Sequence, residues 1–310
     1  MDSFVFIGND NISLKFLEKI IDKKRPEYII TGHDRISGRG RKLTPSPLVE
    51  IAKKNSIELL KTDNPNSKDF LKLLREKKIP DFFLLFSFGY ILNKEFLEIP
   101  KRMSVNIHPS LLPKYRGAAP INRVIINGEK RSGVTFFKMD ETLDGGDIIF
   151  QEDFGLEPYI DSIELKEKII EVSSKMFLTF DWSHDFKLYK QDESQATYAK
   201  KIKKEELVLD LNKNALNLTN HINGLAEYGI KCRIGKYNVK IRKVVPSEIK
   251  VEKGNLKISE KKELLLGCDD GSVSVLKIQP EGKNIMDSKS FINGYKIKDG
   301  EKICVESLES

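Results

Sequence analysis

The sequence predicts an α/β protein in which a doubly wound, mostly parallel sheet is followed by a small C-terminal, OB-like β-barrel. The length of 310 residues favours two domains. In the first half, apolar runs alternate with helical patterns, and the runs are continuous, as in parallel strands that are buried on both faces. In the last third, short alternating strands are separated by turn signals, which is typical of a small antiparallel barrel or sandwich.

Apolar periodicity predicts the individual elements. Helical spacing over residues 14–21 and 163–180 predicts two helices, and a third helix around Phe70 and Leu74 ends before Pro80. Doubly wound sheets bind ligands beyond the carboxyl ends of their strands, so we expect the chemistry there. The predicted strands are 4–8, 28–31, 57–60, 82–86 and 105–107 in the first domain and 239–242, 256–258, 264–266 and 273–276 in the second.

The composition excludes several classes of protein. Apolar residues make up 39% and charged residues 32%, which indicates a globular chain rather than a disordered or fibrous one. No apolar stretch is long enough to span a membrane and the N-terminus lacks signal-peptide features, so we expect a cytoplasmic protein. The cysteines Cys232, Cys268 and Cys304 are widely spaced and form no CxxC pair, which favours a reducing compartment and argues against structural zinc.

Domain boundaries and charge complete the coarse prediction. The chain turns polar over residues 181–194, and we predict a catalytic domain over 1–183, a linker over 184–205 and the barrel over 206–310.

The sequence gives no support for a binding site for NAD or ATP. Gly8 follows the first strand, but neither a GxGxxG nor a GxxxxGK[ST] pattern follows it. The net charge is +7 and most of the surplus lies after residue 200; an anionic partner or a solvated lysine-rich face explains it equally well.

Residues 104–121, SVNIHPSLLPKYRGAAPI, carry the most information about chemistry. Strand alternation places Asn106 and His108 on the same side of a strand that Pro109 ends, although an isolated pair of this kind more often only satisfies loop backbone. The whole segment resembles the folate-dependent formyltransferase family, and a second match covers residues 139–148, MDETLDGGDI. The resemblance implies a formyltransferase-like Rossmann domain with Asn106, His108 and Asp144 as the catalytic trio.

The same resemblance implies a folate pocket and 10-formyltetrahydrofolate as the co-substrate, without a metal. Residues 84–92, LLFSFGYIL, resemble the family loop that lines the pterin pocket, an apolar slot suited to a flat ring. Ser87 and Phe88 stand where alanine and tyrosine are more typical. The implied co-substrate contacts are Phe86, Ser87, Phe88, Gly89, Tyr90, Ile91, Leu92, Ser110, Leu111, Leu112, Pro113 and Asp140.

A basic loop at residues 34–47 separates the branches of this family. It resembles the insertion with which the transfer-RNA branch reaches the acceptor end of its substrate, although a loop of this composition is often only a flexible connection. The run 231–243 contains six cations and no acid. Alternation with Ile234, Val239 and Ile241 predicts that several of these cations share one exposed face, although an ordinary solvated strand face explains the cations equally well. The implied RNA contacts are Arg35, Arg39, Arg41, Lys42, Lys114, Arg116, Lys240 and Arg242.

The reaction expected from the resemblance is formyl transfer to the α-amino group of initiator methionyl-tRNA, for translation initiation, by a monomer. In this reaction Asn106 and His108 donate hydrogen bonds to the oxyanion, and Asp144 orients His108 and handles the proton. An N-formyltransferase acting on an amino sugar nucleotide is the alternative, against which the basic loop argues. A third hypothesis is an RNA-binding protein without catalysis. Residues 223–229 replace a turn that is usually rich in tryptophan and proline, which bears on how RNA is engaged.

Overall fold

The computed structural model describes residues 3–37 and 42–304, which divide into two compact units. The first unit comprises Met1–Ala118, Gly133–Phe154 and Lys166–Ala199, and the second comprises Ala119–Ser132, Gly155–Leu165 and Lys200–Ser310. Each unit is therefore assembled from three stretches of chain. Residues 184–199, which the sequence predicts as linker, belong to the first unit.

The first unit is built on a seven-stranded sheet in the order β5-β2-β1-β6-β7-β8-β9. The five strands from β5 to β7 pair in parallel, and β8 joins β7 antiparallel. The chain returns to the other side of β1 when it enters β6, so the sheet is doubly wound, as predicted. The strands are β1 (Phe4–Gly8), β2 (Tyr28–Thr31), β5 (Glu58–Lys61), β6 (Phe82–Phe86), β7 (Met103–His108), β8 (Arg131–Lys138) and β9 (Ile148–Gly155). A separate hairpin consists of β3 (Arg35–Ser37) and β4 (Lys42–Thr44).

The helices of the N-terminal half begin at local capping signals. Asp10 caps α1 by accepting from the backbone N–H groups of Ile12 and Ser13, and Ser67 caps α3. Phe70 and Leu74 of α3 are buried, as their spacing predicts. The helices are α1 (Asn11–Ile20), α2 (Leu48–Lys54), α3 (Lys68–Glu76), α4 (Lys94–Leu97), α5 (Pro120–Ile126) and α6 (Ser162–Thr179).

The second unit contains the predicted barrel-like sheet. Its strands pair antiparallel in the order β12-β13-β14-β11-β10-β16, and a bridge between Asn255 and Lys302 joins the two ends. Buried residues alternate with outward ones along β10, where Ile230, Cys232 and Ile234 face the core. The elements are α7 (Ala215–Gly224), β10 (Ile230–Ile234), β11 (Tyr237–Ser247), β12 (Leu256–Ile258), β13 (Leu264–Gly267), β14 (Ser272–Pro280), β15 (Met286–Asp287), α8 (Ser288–Tyr295) and β16 (Ile303–Cys304).

These two sheets confirm the predicted fold class. None of the helices in the described ranges has the length and apolar character needed to cross a membrane.

Candidate active site

Asn106 and His108 lie at the carboxyl end of β7, where the parallel part of the sheet meets the antiparallel strand β8. They are two residues apart and therefore project from the same face of the sheet. His108 is only 3% exposed. Asn106 is half-buried, and its carboxamide has no hydrogen-bond partner among the described residues. A free amide donor thus stands beside a buried imidazole.

The loop that follows β7 is held by β8 and β9. Thr135 of β8 donates its hydroxyl to the carbonyl of Ser110 over 2.7 Å and accepts from the backbone N–H of Leu112 over 3.1 Å. Gln151 of β9 donates to the carbonyl of Leu112 over 2.8 Å. Tyr115, in the left-handed region at φ 63°, directs its carbonyl to Nε2 of His108 over 2.8 Å. The loop thereby fixes the imidazole ring.

Asp144 reaches His108 from the loop between β8 and β9. Its Oδ2 accepts from the backbone N–H of Gly117 over 2.7 Å and lies 3.6 Å from Nδ1 of His108. Asp144 has φ 50°, and Gly146 close behind it is tightly confined, because a Cβ there would lie 1.9 Å from the carbonyl oxygen of Lys138. The three predicted catalytic residues thus belong to one unit, and two of them form a pair.

The pairing of His108 restricts its protonation. A carbonyl oxygen only accepts, so Nε2 carries a proton towards Tyr115. Nδ1 lies 3.6 Å from the carboxylate of Asp144, which is beyond hydrogen-bond distance. The carboxylate attracts the ring electrostatically only when both ring nitrogens carry a proton. In this arrangement His108 donates to an oxyanion only after Nε2 leaves the Tyr115 carbonyl. Asn106 has no such competing partner.

The predicted pterin loop follows β6 and turns at two left-handed residues. Ser87 has φ 56° and donates its hydroxyl to Oδ2 of Asp10 over 2.6 Å, and Gly89 has φ 74°. The Phe88 and Tyr90 rings lie 4.8 Å apart, and the Tyr90 hydroxyl donates to Asp63. Phe86, Phe88 and Leu92 are buried, whereas Ile91 is 90% exposed.

The other predicted co-substrate residues lie on two loops. Ser110 is buried and donates its hydroxyl to the carbonyl of Lys114 over 2.7 Å. Leu112 is buried, whereas Leu111 and Pro113 are half-buried. Asp140 is exposed and accepts from the backbone N–H of Thr142 over 2.8 Å.

The predicted RNA contacts of the first unit divide into four groups. Arg39 and Arg41 lie outside the described residues, and Arg35 and Lys42 lie on the β3–β4 hairpin, where only the backbone is described. Lys114 is exposed.

Arg116, by contrast, is 3% exposed, and each of its three guanidinium nitrogens donates to Gln191 or Glu193 over 2.7 to 3.1 Å. Beside Arg116 the pKa of Glu193 is held below its ordinary value. This geometry does not support the prediction that Arg116 contacts RNA.

The cations of β10 and β11 are similarly divided. Arg242 is half-buried and donates to the carbonyls of Ala226 and Glu227 and to Gln279. Burial lowers the pKa of Arg242. Lys240 is also half-buried and donates to the carbonyl of Tyr228 over 3.1 Å. Arg242 therefore fixes the turn after α7 in this structure, and this role does not support its predicted contact with RNA.

Two exposed cations of this region, Lys231 and Arg233, are on β10, and a third, Lys236, lies in the turn that follows it. Lys231 and Arg233 alternate with the buried residues of the strand and point away from the core. Lys231 stands directly opposite Lys240 in the β10–β11 register. These two β10 residues were part of the predicted basic run but not of the predicted RNA contacts.

Two site features were not predicted. Gln191 donates its amide to the carbonyls of Asp144 and Gly146, and Gly117 donates its backbone N–H to Asp144. Gln191 lies in the polar stretch predicted as linker, and no local pattern in the sequence marks it; in the structure the nearby Thr197 and Ala199 pair with the catalytic loop. Within the described ranges, no cluster of His, Cys, Asp and Glu side chains is arranged to hold a metal ion.

Comparison with solved structures supports the fold. An N-formyltransferase from Helicobacter canadensis, in complex with folinic acid and dTDP-3-aminofucose, is 22% identical and superposes with a TM-score of 0.61 over 90% of this chain and 100% of its own. HypX from Aquifex aeolicus, in complex with tetrahydrofolic acid, is 16% identical with a TM-score of 0.62 over 96% of this chain and 48% of its own.

Comparison with sequences is more specific. The methionyl-tRNA formyltransferase of Thermotoga maritima is 35% identical over 302 residues, which cover 96% of both chains. The methionyl-tRNA formyltransferase of Caldicellulosiruptor saccharolyticus is 34% identical over 311 residues, covering 96% of this chain and 98% of its own. The family model described as formyl transferase matches residues 4–180, and that of the formyl transferase C-terminal domain matches 201–296. The chain therefore belongs to the formyltransferase family.

Proposed function

We propose that this enzyme transfers the formyl group of 10-formyltetrahydrofolate to the α-amino group of methionine on initiator methionyl-tRNA, acting as a monomer in the cytoplasm. The observation that carries the proposal is the near-complete coverage, at 35% identity, of relatives named for this reaction. The convergence of a carboxylate on a buried imidazole beside a free amide supplies groups suited to acyl transfer. The folate-bound structures of the same fold support the class of donor.

The reaction forms one bond and breaks another. The neutral α-amino nitrogen attacks the formyl carbon, and the tetrahedral adduct collapses by breaking the bond from that carbon to the folate nitrogen. An α-amino group titrates near pH 7.7 to 8.0 in model peptides, so a useful fraction is neutral at pH 7. The amine loses a proton and the folate nitrogen gains one, so no net acid or base is consumed. The protein must therefore stabilise the oxyanion and carry the proton.

Asn106 is the residue best placed to stabilise the oxyanion. Its carboxamide has no partner among the described residues, so it can donate without breaking a bond within the protein. Loss of one donor of this kind costs about 2.7 to 4 kcal/mol of transition-state stabilisation in other acyl-transfer enzymes.

The His108 and Asp144 pair carries the proton. Oδ2 of Asp144 is held by Gly117, and Oδ1 has no partner among the described residues, so Oδ1 can accept the proton that the amine releases. His108 lies beside that carboxylate and, once its Nε2 leaves the Tyr115 carbonyl, donates a hydrogen bond to the negative oxygen that develops in the adduct.

The basic loop and the exposed cations of β10 support RNA as the acceptor. Phosphate contacts by lysine and arginine dominate the affinity of proteins for nucleic acids and make it dependent on salt. Lys231 and Arg233 are exposed and form no ion pair with any described residue, so they are available to phosphates.

The proposal is tested by giving purified protein labelled 10-formyltetrahydrofolate together with either methionyl-tRNA or an amino sugar nucleotide. We expect label to enter methionyl-tRNA, and we expect the sugar nucleotide to remain unformylated. An Asn106→Ala variant in the same assay controls for formylation by a contaminant. Formylation of the sugar nucleotide with no reaction on the RNA would overturn the proposal.

A further inference from the structure

We propose that Gln191 is a positioning residue for Asp144, and that the segment Gln191 to Ala199, here called the strap, holds the catalytic loop in its active form. The consequence for catalysis rests on the proposed function. The geometric part stands on contacts within the first unit alone.

The amide of Gln191 joins two parts of the site. Its nitrogen donates to the carbonyls of Asp144 over 2.8 Å and of Gly146 over 2.7 Å. Its oxygen accepts from Nε and Nη2 of Arg116 over 3.1 and 2.8 Å. One side chain therefore uses both its donors on the loop that carries Asp144 and its acceptor on the loop that follows β7.

Three consecutive residues of that second loop act on the catalytic pair. The carbonyl of Tyr115 accepts from His108, and the backbone N–H of Gly117 donates to Asp144. Arg116 between them is buried and holds Gln191. The position of His108 and that of Asp144 are thus set by the same three residues.

The rest of the strap runs beside this loop. The backbone N–H of Arg116 donates to the carbonyl of Thr197 over 2.9 Å, and that of Ala199 donates to the carbonyl of Arg116 over 2.7 Å. The hydroxyl of Thr197 accepts from the backbone N–H of Tyr115 over 2.9 Å. The strap lies between the stretches matched by the two family models, 4–180 and 201–296. A segment that sequence analysis assigns to a connection therefore forms part of the site's support.

The Asp144 loop needs such support. Asp144 has φ 50°, a left-handed conformation that is unfavourable for a non-glycine residue, and two flexible glycines follow it. Without Gln191, the carbonyls of Asp144 and Gly146 lose their only side-chain donor among the described residues. A shift of the carboxylate away from Gly117 also moves it from His108, and a misplacement of about 1 Å reduces turnover by up to roughly a hundredfold.

Gln191→Glu separates this role from a purely structural one. The substituted side chain keeps an acceptor for Arg116 but has no donor for the two carbonyls when ionised. We expect kcat for formylation of methionyl-tRNA to fall roughly ten- to hundredfold, with the KM for RNA and for the folate changed by less than about twofold. Gln191→Ala should lower kcat to a similar degree.

Gln195→Ala is the matched control, because among the described residues its exposed amide bonds to Asp192 at the surface and to no residue of the catalytic loop. A readout independent of activity is hydrogen exchange at the backbone N–H of Gly117, which Asp144 protects. We expect faster exchange in Gln191→Glu than in Gln195→Ala.

Equal kcat in Gln191→Glu and Gln195→Ala would overturn the proposal, and so would a loss of kcat without faster exchange at Gly117, since Asp144 would then not have moved. Failure of the wild-type protein to formylate methionyl-tRNA would instead refute the proposed function, and the exchange measurement would still decide the role of Gln191.

Discussion

Cations that look alike in the sequence differ in burial and in pairing in the structure. Arg116, in the loop after β7, is 3% exposed and bonded through all three guanidinium nitrogens to Gln191 and Glu193. Lys231 and Arg233, on β10, are exposed and form no ion pair with any described residue. The first cation fixes the site and the others are free to bind.

The contrast follows from the energetics of charge. A buried guanidinium is tolerated only when its donors are paired, so the hydrogen bonds to Gln191 and Glu193 fix the position of the Arg116 side chain. An exposed cation keeps its hydration and needs no partner. Lys231 also stands directly opposite Lys240, and like charges at such positions destabilise a strand pair. A bound anion would remove that repulsion, which favours a binding role for this face.

The largest expected effect is in the catalytic site that Arg116 helps to hold in place. Asn106→Ala should lower kcat by at least roughly a hundredfold, because the oxyanion loses its amide donor. The midpoint of thermal unfolding should change little, since the carboxamide has no partner among the described residues. Steady-state kinetics and a thermal melt measure the two. Asn106→Asp, of similar size but without the donor, should be equally impaired; turnover within a few-fold of wild type in either variant would refute this role.

The sheet could be predicted because its central strands are buried on both faces. Strands β2 and β6 match the predicted bounds, since continuous apolar runs have no other place in a small domain. Strands β8 and β9 were not predicted. Gly133 breaks the apolar pattern of β8 in the sequence, and the structure leaves no room for a side chain there, because a Cβ would lie 2.4 Å from the carbonyl oxygen of Glu152. Strand β9 has no continuous apolar run, since every second residue from Gln151 on is exposed.

The site was predictable only where local spacing or a motif determines it. Strand alternation places Asn106 and His108 on one face, and the resemblance supplied Asp144. No local rule indicates that Gln191 contacts Asp144, 47 residues earlier in the chain. The burial of Arg116 likewise depends on Gln191 and Glu193, which lie in a polar stretch that composition assigns to a linker.

Arg116→Met tests whether the buried Arg116 stabilises the fold and does not contact RNA. Methionine fills part of the space but loses every hydrogen bond to Gln191 and Glu193, so we expect the free energy of unfolding to fall by about 2 kcal/mol and kcat to fall several-fold. The salt dependence of RNA binding should stay that of the wild type. A flatter dependence, measured by titration at several salt concentrations, would show that Arg116 contacts phosphate after all.

Substitutions in the basic loop should give the next largest effect, a loss of affinity for RNA. Replacing Arg39, Arg41 and Lys42 together with alanine should raise the KM for RNA roughly tenfold and flatten the slope of log affinity against log salt by about 2. The KM for the folate should not change. A change confined to the folate would mean that this loop serves the donor and not the acceptor.

The exposed face of β10 should contribute less to RNA affinity than the basic loop does. Lys231→Ala with Arg233→Ala should weaken RNA binding a few-fold and flatten the same slope by about 1.5, while thermal stability is kept or slightly raised because the repulsion between Lys231 and Lys240 is relieved. Lys257→Ala, an exposed lysine on β12 of the same sheet, is the matched control. Equal salt slopes for the double variant and the control would remove this face from the RNA interface.

The smallest effect concerns a second histidine, the half-buried His221 of the second unit. His221 on α7 donates Nε2–H to the carbonyl of Glu206 over 2.8 Å, and burial holds the pKa of His221 below its ordinary value, with Lys213 adding to the shift and the nearby Glu206 and Asp210 opposing it. The unfolded chain therefore binds a proton more readily than the folded one. The stabilisation is present above pH 6.5, the unfolded value, and is lost as the pH falls below it.

His221→Gln removes the titrating group but keeps a donor for the Glu206 carbonyl. We expect the difference in free energy of unfolding between pH 7.5 and pH 5.5 to be smaller in this variant than in the wild type, measured by urea denaturation at both pH values. In His108, by contrast, Nε2 bonds to the Tyr115 carbonyl over 2.8 Å and Nδ1 lies 3.6 Å from the Asp144 carboxylate. An unchanged pH dependence in His221→Gln would mean that acid sensitivity arises elsewhere, and the contrast between the two histidines would then have no consequence for stability.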